Sequence, residues 1–350
     1  MTEHGFERSC RESCLYTKKV NNSTILLLCY VDDILIACDQ SSLIYDIIEL
    51  LSTEFDIKIL GNPTRFLGID IESDSEGNIS INQKKYTETI LKQFHMNDSN
   101  SVSTPILKNN ENDKTTSKSN SLKFNYRSAI GSLMYLANNT RPDITFAVHF
   151  LARFQTDPQD IHHTMIKRIF RYISGTRSLG LKYDQTATNI IDSFVDASFC
   201  DDRTTGKSTT GYLIRYHGNV VAWRSRQQVT HTESTTEAEY MAITDAAHDI
   251  LFLGRLTEET THETNIFPIP LHEDNSGCIT QTTRTSRGRL RHLEKKYLDF
   301  QKLFENGLLQ ARKVPGTKQL ADIFTKPLPH TQFLKLRNQL VTQVLRDEPS

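Results

Sequence analysis

Apolar and polar positions follow several distinct patterns along the 350 residues of the chain. Two apolar, β-prone runs flank a pair of aspartates in Ile25–Cys38, which predicts a β-hairpin. Apolar residues then recur at helical spacing between Leu43 and Leu51. The segments Arg65–Ser73 and Asn78–Gln83 read as two strands joined by a turn, and Tyr86–Phe94 reads as a helix. The first hundred residues therefore predict a mixture of strands and helices.

A change of composition separates this part from the next. The run KNNENDKTTSKSNS, from Lys108 to Ser121, is polar and low in complexity, which is typical of a linker. Helical periodicity dominates from Tyr126 to Tyr172, with a break at Thr140–Asp143 that contains a proline. From Ile190 onward the pattern predicts three strands, a long helix, a fourth strand, a second long helix, a fifth strand and a short helix.

Bulk composition restricts the classes of function. The formal net charge is −1, so any basic surface for nucleic acid must be local. No apolar run approaches the roughly 18 residues of a membrane span, which predicts that the chain has no membrane partner. The six cysteines are scattered, without the paired spacing of a zinc site, and indicate reduced thiols. These features predict an intracellular, cytoplasmic protein.

Carboxylates in the C-terminal part carry the strongest chemical signal. Asp196 and Asp274 each close an apolar strand, where an acid serves either in a site or as a helix cap. On the long helix, Ser234 and Glu237 fit a capping box, which gives Glu237 a structural role and an outward orientation. Glu239 instead heads the apolar stripe of that helix, and a buried carboxylate is costly unless it is paired or bound to a metal.

A fourth acid, Asp322, lies in the last short helix, where the helix dipole also favours an acid. Four carboxylates in one place repel one another unless divalent cations lie between them, and hard oxygen ligands select Mg²⁺ or Mn²⁺. Two such ions roughly 3.5–4 Å apart activate a water and stabilise the leaving oxygen of a phosphodiester. The candidate catalytic and metal-binding residues are therefore Asp196, Glu239, Asp274 and Asp322.

Basic residues near these acids indicate a polynucleotide as the substrate. Six basic residues and one acid lie between Arg284 and Lys296, and five basic residues without an acid lie in 161–183. The candidate nucleic-acid contacts are Trp223, Arg224, Arg226, Arg287, Arg289, Arg291, Lys167 and Arg171. For the last two, a solvated helix face is an equally good interpretation.

Seven segments resemble, in matching order, the Pol polyprotein of copia-type retrotransposons: YVDDILIA, FLGIDI, YRSAIGSLMYLANNTRPDITFAV, VDASFCDD, STTGYLI, STTEAEYMA and LADIFTKPL. The resemblance implies the end of a reverse transcriptase, a connection region and a ribonuclease H. It matches Asp32 and Asp33 to the polymerase carboxylates. It also matches the four candidate acids, in chain order, to the metal-binding positions of ribonuclease H. An RNA–DNA hybrid and the rest of a Pol polyprotein are the implied partners, and a virus-like particle or the nucleus are further implied locations.

The resemblance also implies the fold and its division. The expected class is α/β, with a ribonuclease H-like mixed five-stranded sheet flanked by helices, preceded by an incomplete α+β reverse transcriptase palm and thumb. The expected parts are a truncated palm and thumb at 1–105, a polar linker at 106–121, a helical connection region at 122–188, a ribonuclease H-like domain at 189–328 and a tail helix at 329–350. The helical spacing of Phe333, Leu336, Leu340 and Val344 predicts that the tail packs on the fold.

The activity implied by the resemblance is hydrolysis of the RNA strand of RNA–DNA hybrids with Mg²⁺ or Mn²⁺. The polymerase site of this family includes a third aspartate upstream of the hairpin, and none of the residues before Asp32 fits that role. DNA polymerisation by this chain alone is therefore not expected. Two alternatives stay open: a non-catalytic, nucleic-acid-binding relic of a decayed element, and a fragment of a full-length RNA-directed DNA polymerase.

Overall fold

A computed structural model describes residues 1–108, 124–184, 189–202, 204–261, 263–283 and 300–344. Its first elements are β1 (Glu7–Arg8), β2 (Leu15–Val20), β3 (Ser23–Tyr30), β4 (Asp33–Ala37) and α1 (Ser41–Glu54). The four strands form an antiparallel sheet in the order β1–β2–β3–β4. Ile25 and Leu27 from β3 pack with Ile47 and Leu51 from α1. The predicted hairpin and the helix after it are confirmed.

A second sheet combines segments from both sides of the predicted linker. The next elements are β5 (Arg65–Phe66), β6 (Ile69–Ser73), β7 (Ile79–Asn82), α2 (Lys84–Gln93), α3 (Tyr126–Asn139), α4 (Thr145–Ala152), α5 (Asp160–Gly175) and β8 (Leu179–Tyr183). Strands β7 and β8 pair antiparallel, with Ile81 opposite Leu181. The segments predicted as palm and thumb and as connection region therefore share one sheet. Most of the predicted linker falls on 109–123, outside the described residues.

The third sheet is mixed and has five strands. Its elements are β9 (Ile191–Ser198), β10 (Thr209–Tyr216), β11 (Asn219–Gln227), α6 (Thr235–Thr260), β12 (Ile269–Glu273), α7 (Ser276–Thr283), α8 (Gln301–Glu305) and β13 (Leu309–Lys313). The strand order is β11–β10–β9–β12–β13; the first three strands are antiparallel, and β9, β12 and β13 are parallel. This arrangement confirms the predicted ribonuclease H-like sheet. The predicted second long helix falls largely on 284–299, outside the described residues.

Helices cover both faces of the mixed sheet. On one face, α6 packs through Ala242 and Ala246 against Val195 and Ile214. The other face belongs to the same hydrophobic cluster as α3, α4 and α5. The predicted connection region is therefore the second helical layer of the ribonuclease H-like sheet. Within the ranges that the structure describes, no helix combines the length and apolarity needed to cross a bilayer.

The C-terminal tail differs from the predicted helix over 329–350. Helix α9 (His330–Arg337) is followed by strand β14 (Thr342–Gln343), which pairs antiparallel with β8 and completes the second sheet in the order β14–β8–β7–β6–β5. The four apolar tail residues are buried as predicted, but Leu340 and Val344 lie beyond the helix. Apolar spacing predicted the burial correctly. The conformation is different because the edge of β8 accepts a strand at this point.

Candidate active site

Two neighbouring parallel strands end at the candidate site. In the pairing of β9 with β12, Ser193 lies opposite Leu271 and Phe194 lies opposite His272. The same register, continued beyond the pairing, places Asp274 level with Asp196. The carboxyl ends of parallel strands are where ligands bind in open α/β sheets. Asp196 is buried there and Asp274 is half-buried.

Glu239 reaches the same point from α6. The Ser234 hydroxyl caps this helix by accepting a hydrogen bond from the N–H of Glu237 at 3.2 Å. Glu239 is 6% exposed, and carboxylate oxygens of Asp196, Glu239 and Asp274 all lie within 4.8 Å of one another. The structure therefore brings together three of the four predicted metal-binding residues.

Glu237 differs from its prediction in two respects. It is buried rather than outward-facing, and its Oε2 accepts a hydrogen bond from the N–H of Glu233 at 2.8 Å rather than from Ser234. The reason is that the backbone at Glu233, just before the cap, lies over the side chain and covers it. Glu237 still holds the entry of the helix, as the capping pattern indicates.

Asp322 lies beside the three acids, in the 3₁₀ helix Leu320–Phe324. Its Oδ1 is 2.6 Å from Nζ of Lys326, and its Oδ2 accepts a hydrogen bond from the side-chain amide of Gln332 at 3.1 Å. The same Nζ lies 3.5 Å from Oδ2 of Asp196. Although burial opposes the charge of Lys326, the two carboxylates raise its pKa. Sequence reasoning missed this lysine, whose signal is its position four residues after Asp322.

Close packing brings this 3₁₀ helix onto the sheet. The hydroxyl of Thr325, at its end, donates to Oδ2 of Asp196 at 2.5 Å. A Cβ on Gly211 of β10 would lie only 2.6 Å from the Thr325 methyl carbon, so a glycine is needed for this approach. These contacts determine where Asp322 lies relative to Asp196.

Three buried acids of the site have an oxygen without a hydrogen-bond partner among the described residues: Oε2 of Glu239, Oε2 of Glu273 and Oδ1 of Asp322, the last of which forms an ion pair with Lys326. A buried polar atom without a partner is energetically costly, so these oxygens indicate that the site binds a cation. The donor set of three carboxylates, without histidine or thiolate, suits Mg²⁺ or Mn²⁺. The residues present therefore fit a divalent ion.

Burial is the main cause of the raised pKa values in this site. It raises the pKa of Glu273 to about 8 and, with the charge of Asp196, raises that of Asp322 to about 6 against the effect of Lys326. Burial, followed by the charge of Glu273, also raises the pKa of Glu239 well above its ordinary value. Because each ionised acid disfavours the next, a cation among them would lower all of these pKa values.

Glu273 was not predicted from the sequence; its only signal is its place beside Asp274 at the end of a buried strand. Replacing Glu273 with glutamine should make the metal-free protein more stable at pH 8 and change little at pH 5. In the folded chain the Glu273 carboxyl keeps its proton up to a pH of about 8, because its pKa is raised to about 8, whereas in the unfolded chain it has the ordinary pKa of 4.5. The parent protein therefore loses stability as the pH rises from 4.5 to about 8. Each unit of pKa difference corresponds to about 1.4 kcal/mol.

Urea unfolding in the presence of a chelator, at pH 5 and pH 8, measures this effect. The matched control is Glu49→Gln, because Glu49 is exposed and its replacement should leave the pH dependence of the parent unchanged. Parallel curves for the parent and Glu273→Gln would contradict the prediction.

Asp32 lies in the tight turn between β3 and β4, and Asp33 is the first residue of β4. Tyr30 pairs with Asp33, so Val31 and Asp32 form the loop. Val31 has a φ of 54°, a left-handed conformation that is strained for a β-branched residue and occurs typically at functional turns. Both aspartates are exposed, and neither belongs to the group around Asp196. Their match to polymerase carboxylates stays a prediction.

The predicted contacts on β11 point in two directions. Arg224 and Arg226 are exposed at the edge of the mixed sheet. Trp223 faces the other side of the strand, where it packs against the helical layer, and its indole N–H donates to the carbonyl oxygen of Ala137 on α3 at 2.9 Å. This bond gives Trp223 a structural role that sequence reasoning missed. Contact of Trp223, Arg224 and Arg226 with nucleic acid stays a prediction.

Lys167 and Arg171 lie on α5, in the helical layer rather than beside the carboxylates. Nε of Arg171 donates to the carbonyl oxygen of Asn100 at 2.7 Å, and burial lowers the pKa of Lys167. Arg177, which follows α5, donates a hydrogen bond from its Nη2 to the carbonyl oxygen of Asn97 in the same segment at 2.8 Å. These bonds show that basic residues here anchor the chain that leads into the linker. The predicted contacts Arg287, Arg289 and Arg291 lie outside the described residues.

Comparison with known proteins gives matches along most of the chain. Residues 1–108 match the family described as reverse transcriptase (RNA-dependent DNA polymerase). The retrovirus-related Pol polyprotein from transposon TNT 1-94 of Nicotiana tabacum is 32% identical over 95% of this chain, which spans 26% of that polyprotein. A transposon Ty5-1 protein of Saccharomyces cerevisiae is 30% identical, and the match covers 70% of this chain and 80% of that protein.

Solved structures resemble a part of the chain. LC11-RNase H1, isolated from compost by a metagenomic approach, is 19% identical with a TM-score of 0.32, and the match covers 39% of this chain and 94% of that one. At this distance the likeness does not bear on activity. The sequence matches are the stronger finding, because they include transposon proteins from both a plant and a yeast. This chain covers 80% of the yeast protein. The chain belongs to the Pol polyproteins of copia-type retrotransposons.

Proposed function

We propose that this chain hydrolyses the RNA strand of RNA–DNA hybrids, as the ribonuclease H part of a Pol polyprotein. One observation carries the proposal: Asp196, Glu239 and Asp274 converge from β9, α6 and the end of β12, and a buried oxygen of Glu239 has no partner. Acids this close repel one another, so the group is complete only with a cation. A carboxylate site of this kind serves phosphodiester hydrolysis.

The residues of the chain have separate tasks in this proposal. A divalent ion bound to the three acids would supply an activated water and stabilise the leaving oxygen. Thr325 and Lys326 both contact Oδ2 of Asp196 and hold this carboxylate in place, so that it would be positioned to bind the ion. The cap at Ser234 fixes the entry of α6 and with it the position of Glu239.

The reaction is a transfer of the phosphoryl group to water. A water oxygen bonds to phosphorus, the bond from phosphorus to the 3′ oxygen breaks, and the products carry a 3′-hydroxyl and a 5′-phosphate. The 2′-hydroxyl distinguishes the RNA strand from the DNA strand. The exposed guanidinium groups of Arg224 and Arg226 suit contact with the phosphates of the substrate, because such contacts position a polynucleotide without reading its sequence.

An end-labelled RNA–DNA hybrid incubated with the purified chain and Mg²⁺ tests the proposal. We expect cleavage of the RNA strand, none of a DNA duplex, and none with excess chelator. The Asp196→Asn protein, purified in the same way, controls for contaminating nuclease. Equal cleavage by that variant, or no cleavage by folded parent protein, would overturn the proposal; the second result would favour a relic that only binds nucleic acid.

A further inference from the structure

A lysine side chain lies between two acids of the candidate site. Nζ of Lys326 is 2.6 Å from Oδ1 of Asp322 and 3.5 Å from Oδ2 of Asp196. These acids come from different elements, the final 3₁₀ helix and β9. The ammonium group is thus the bridge between the sheet and the last acid.

The four acids differ in whether a positively charged side chain lies beside them. Oδ1 of Asp322 has no hydrogen bond but forms an ion pair with Nζ of Lys326 at 2.6 Å, and its Oδ2 accepts a hydrogen bond from the side-chain amide of Gln332 at 3.1 Å. Oε2 of Glu239 has no partner among the described residues. The group with ligand oxygens within 4.8 Å of one another consists of Asp196, Glu239 and Asp274, without Asp322. The site is therefore divided into one half that needs a cation and one half that already holds one.

We propose that Lys326 is a resident cation of the site, so that the free protein binds one divalent ion, at Asp196, Glu239 and Asp274. A divalent ion and an ammonium group repel each other strongly at such short distances, and they cannot share the gap between Asp196 and Asp322. Lys326 supplies the positive charge on that side and positions both carboxylates. This inference rests on the proposed function for its relevance to catalysis, but the ion count does not depend on it.

Counting bound Mn²⁺ tests the inference without any substrate. Titration of the full chain, followed by the electron paramagnetic resonance signal of free Mn²⁺, gives the number of ions and their affinities. We expect one site in the parent and two in Lys326→Met. The second ion of the variant should bind at least about tenfold more tightly than any weak second binding step of the parent, since changes around metal ligands alter affinity by about 10–100-fold.

Two further variants separate this effect from a general change of charge. Lys313→Met removes the same charge beside the site, where Nζ of Lys313 contacts the carbonyl oxygen of Asp274, and should still bind one ion. Adding Asp322→Asn to Lys326→Met should remove the second ion again. Circular dichroism of every variant establishes that it is folded, so a changed count is not a result of unfolding.

The outcomes distinguish the inference from the proposed function. Two tight ions in the parent, no ion in the parent, or a single ion in folded Lys326→Met would each overturn the role of Lys326. A parent that binds one Mn²⁺ but does not cleave a hybrid would refute the proposed function and leave the inference intact. A parent that cleaves the hybrid and binds two ions tightly would support the proposed function and refute the role of Lys326.

Discussion

Replacing Glu239 with glutamine is expected to lower the rate of hybrid cleavage more than about 100-fold, since changes even around metal ligands cost about 10–100-fold. Glutamine has nearly the same shape but no charge, so helix α6 keeps its packing while the site loses one of its three anionic ligands. The buried oxygen that lacks a partner in the parent is the atom that this change neutralises or removes. Single-turnover cleavage of a labelled hybrid at saturating Mg²⁺ measures the rate.

Glu237→Gln is the matched control for this prediction. It makes the same chemical change two residues earlier on the same helix, at a side chain that is also buried. A glutamine oxygen still accepts the hydrogen bond from the N–H of Glu233, so the cap survives and the rate should stay unchanged. Similar losses in both variants would mean that Glu239 acts through the helix and not through a metal.

The helical-face argument explains why Glu239 was found from the sequence. A helix repeats every 3.6 residues, so the apolar residues after Glu239 define a buried direction that the acid shares. The same argument placed Glu237 outside and was wrong there, because the chain before the helix folds back over that side chain. Periodicity describes the faces of an isolated helix, whereas burial near its end depends on the segment that leads into it.

Asp196 and Asp274 were predicted for a different reason, because each lies at the end of a strand. A polar residue directly after an apolar strand marks the edge of the sheet, and the parallel pairing of β9 with β12 brings Asp196 and Asp274 to one edge. The pairing itself was not predictable from the two strands alone, since their order in the sheet depends on the helices between them. The resemblance to a known family supplied the expectation that these acids share one site.

The roles of Lys326 and Glu273 were not predictable from local sequence patterns. A lysine four residues after an acid is most often a solvated pair, and only the packing of the last 3₁₀ helix on Gly211 turns this one toward Asp196. Glu273 follows the alternation of a buried strand, and its burial is evident only when α6 and α7 are in place. Trp223 is a similar case, because its bond to Ala137 joins two parts that were predicted separately.

A buried ion pair holds the helical layer together at the point where the sequence predicts only a break. Arg141 is 1% exposed, and its Nε and Nη2 donate to the two carboxylate oxygens of Asp143 at 2.9 and 2.8 Å. Nη1 donates to the carbonyl oxygen of Thr176 at 2.9 Å, and the hydroxyl of Tyr172 donates to Asp143 at 2.6 Å. The pair thus connects the turn between α3 and α4 to the end of α5.

Arg141→Met is expected to lower the free energy of unfolding by about 3–5 kcal/mol, because it leaves the carboxylate of Asp143 buried without its cation. Urea unfolding at pH 7 measures the change. Arg65→Met is the matched control: Arg65 lies 3.9 Å from Asp70 with its side chain 54% exposed, so its loss should change stability by less than about 1 kcal/mol.

The double variant Arg141→Met with Asp143→Asn identifies the cause of the loss. If the uncompensated charge of Asp143 is what destabilises the single variant, removing that charge should restore part of the stability, although the bond to Thr176 is absent and the bond from Tyr172 is weakened. If the double variant is less stable than Arg141→Met, the hydrogen bonds of the turn outweigh the charge. That result would make Asp143 a structural acceptor for Tyr172 in its own right, and the ion pair would be the consequence of that arrangement.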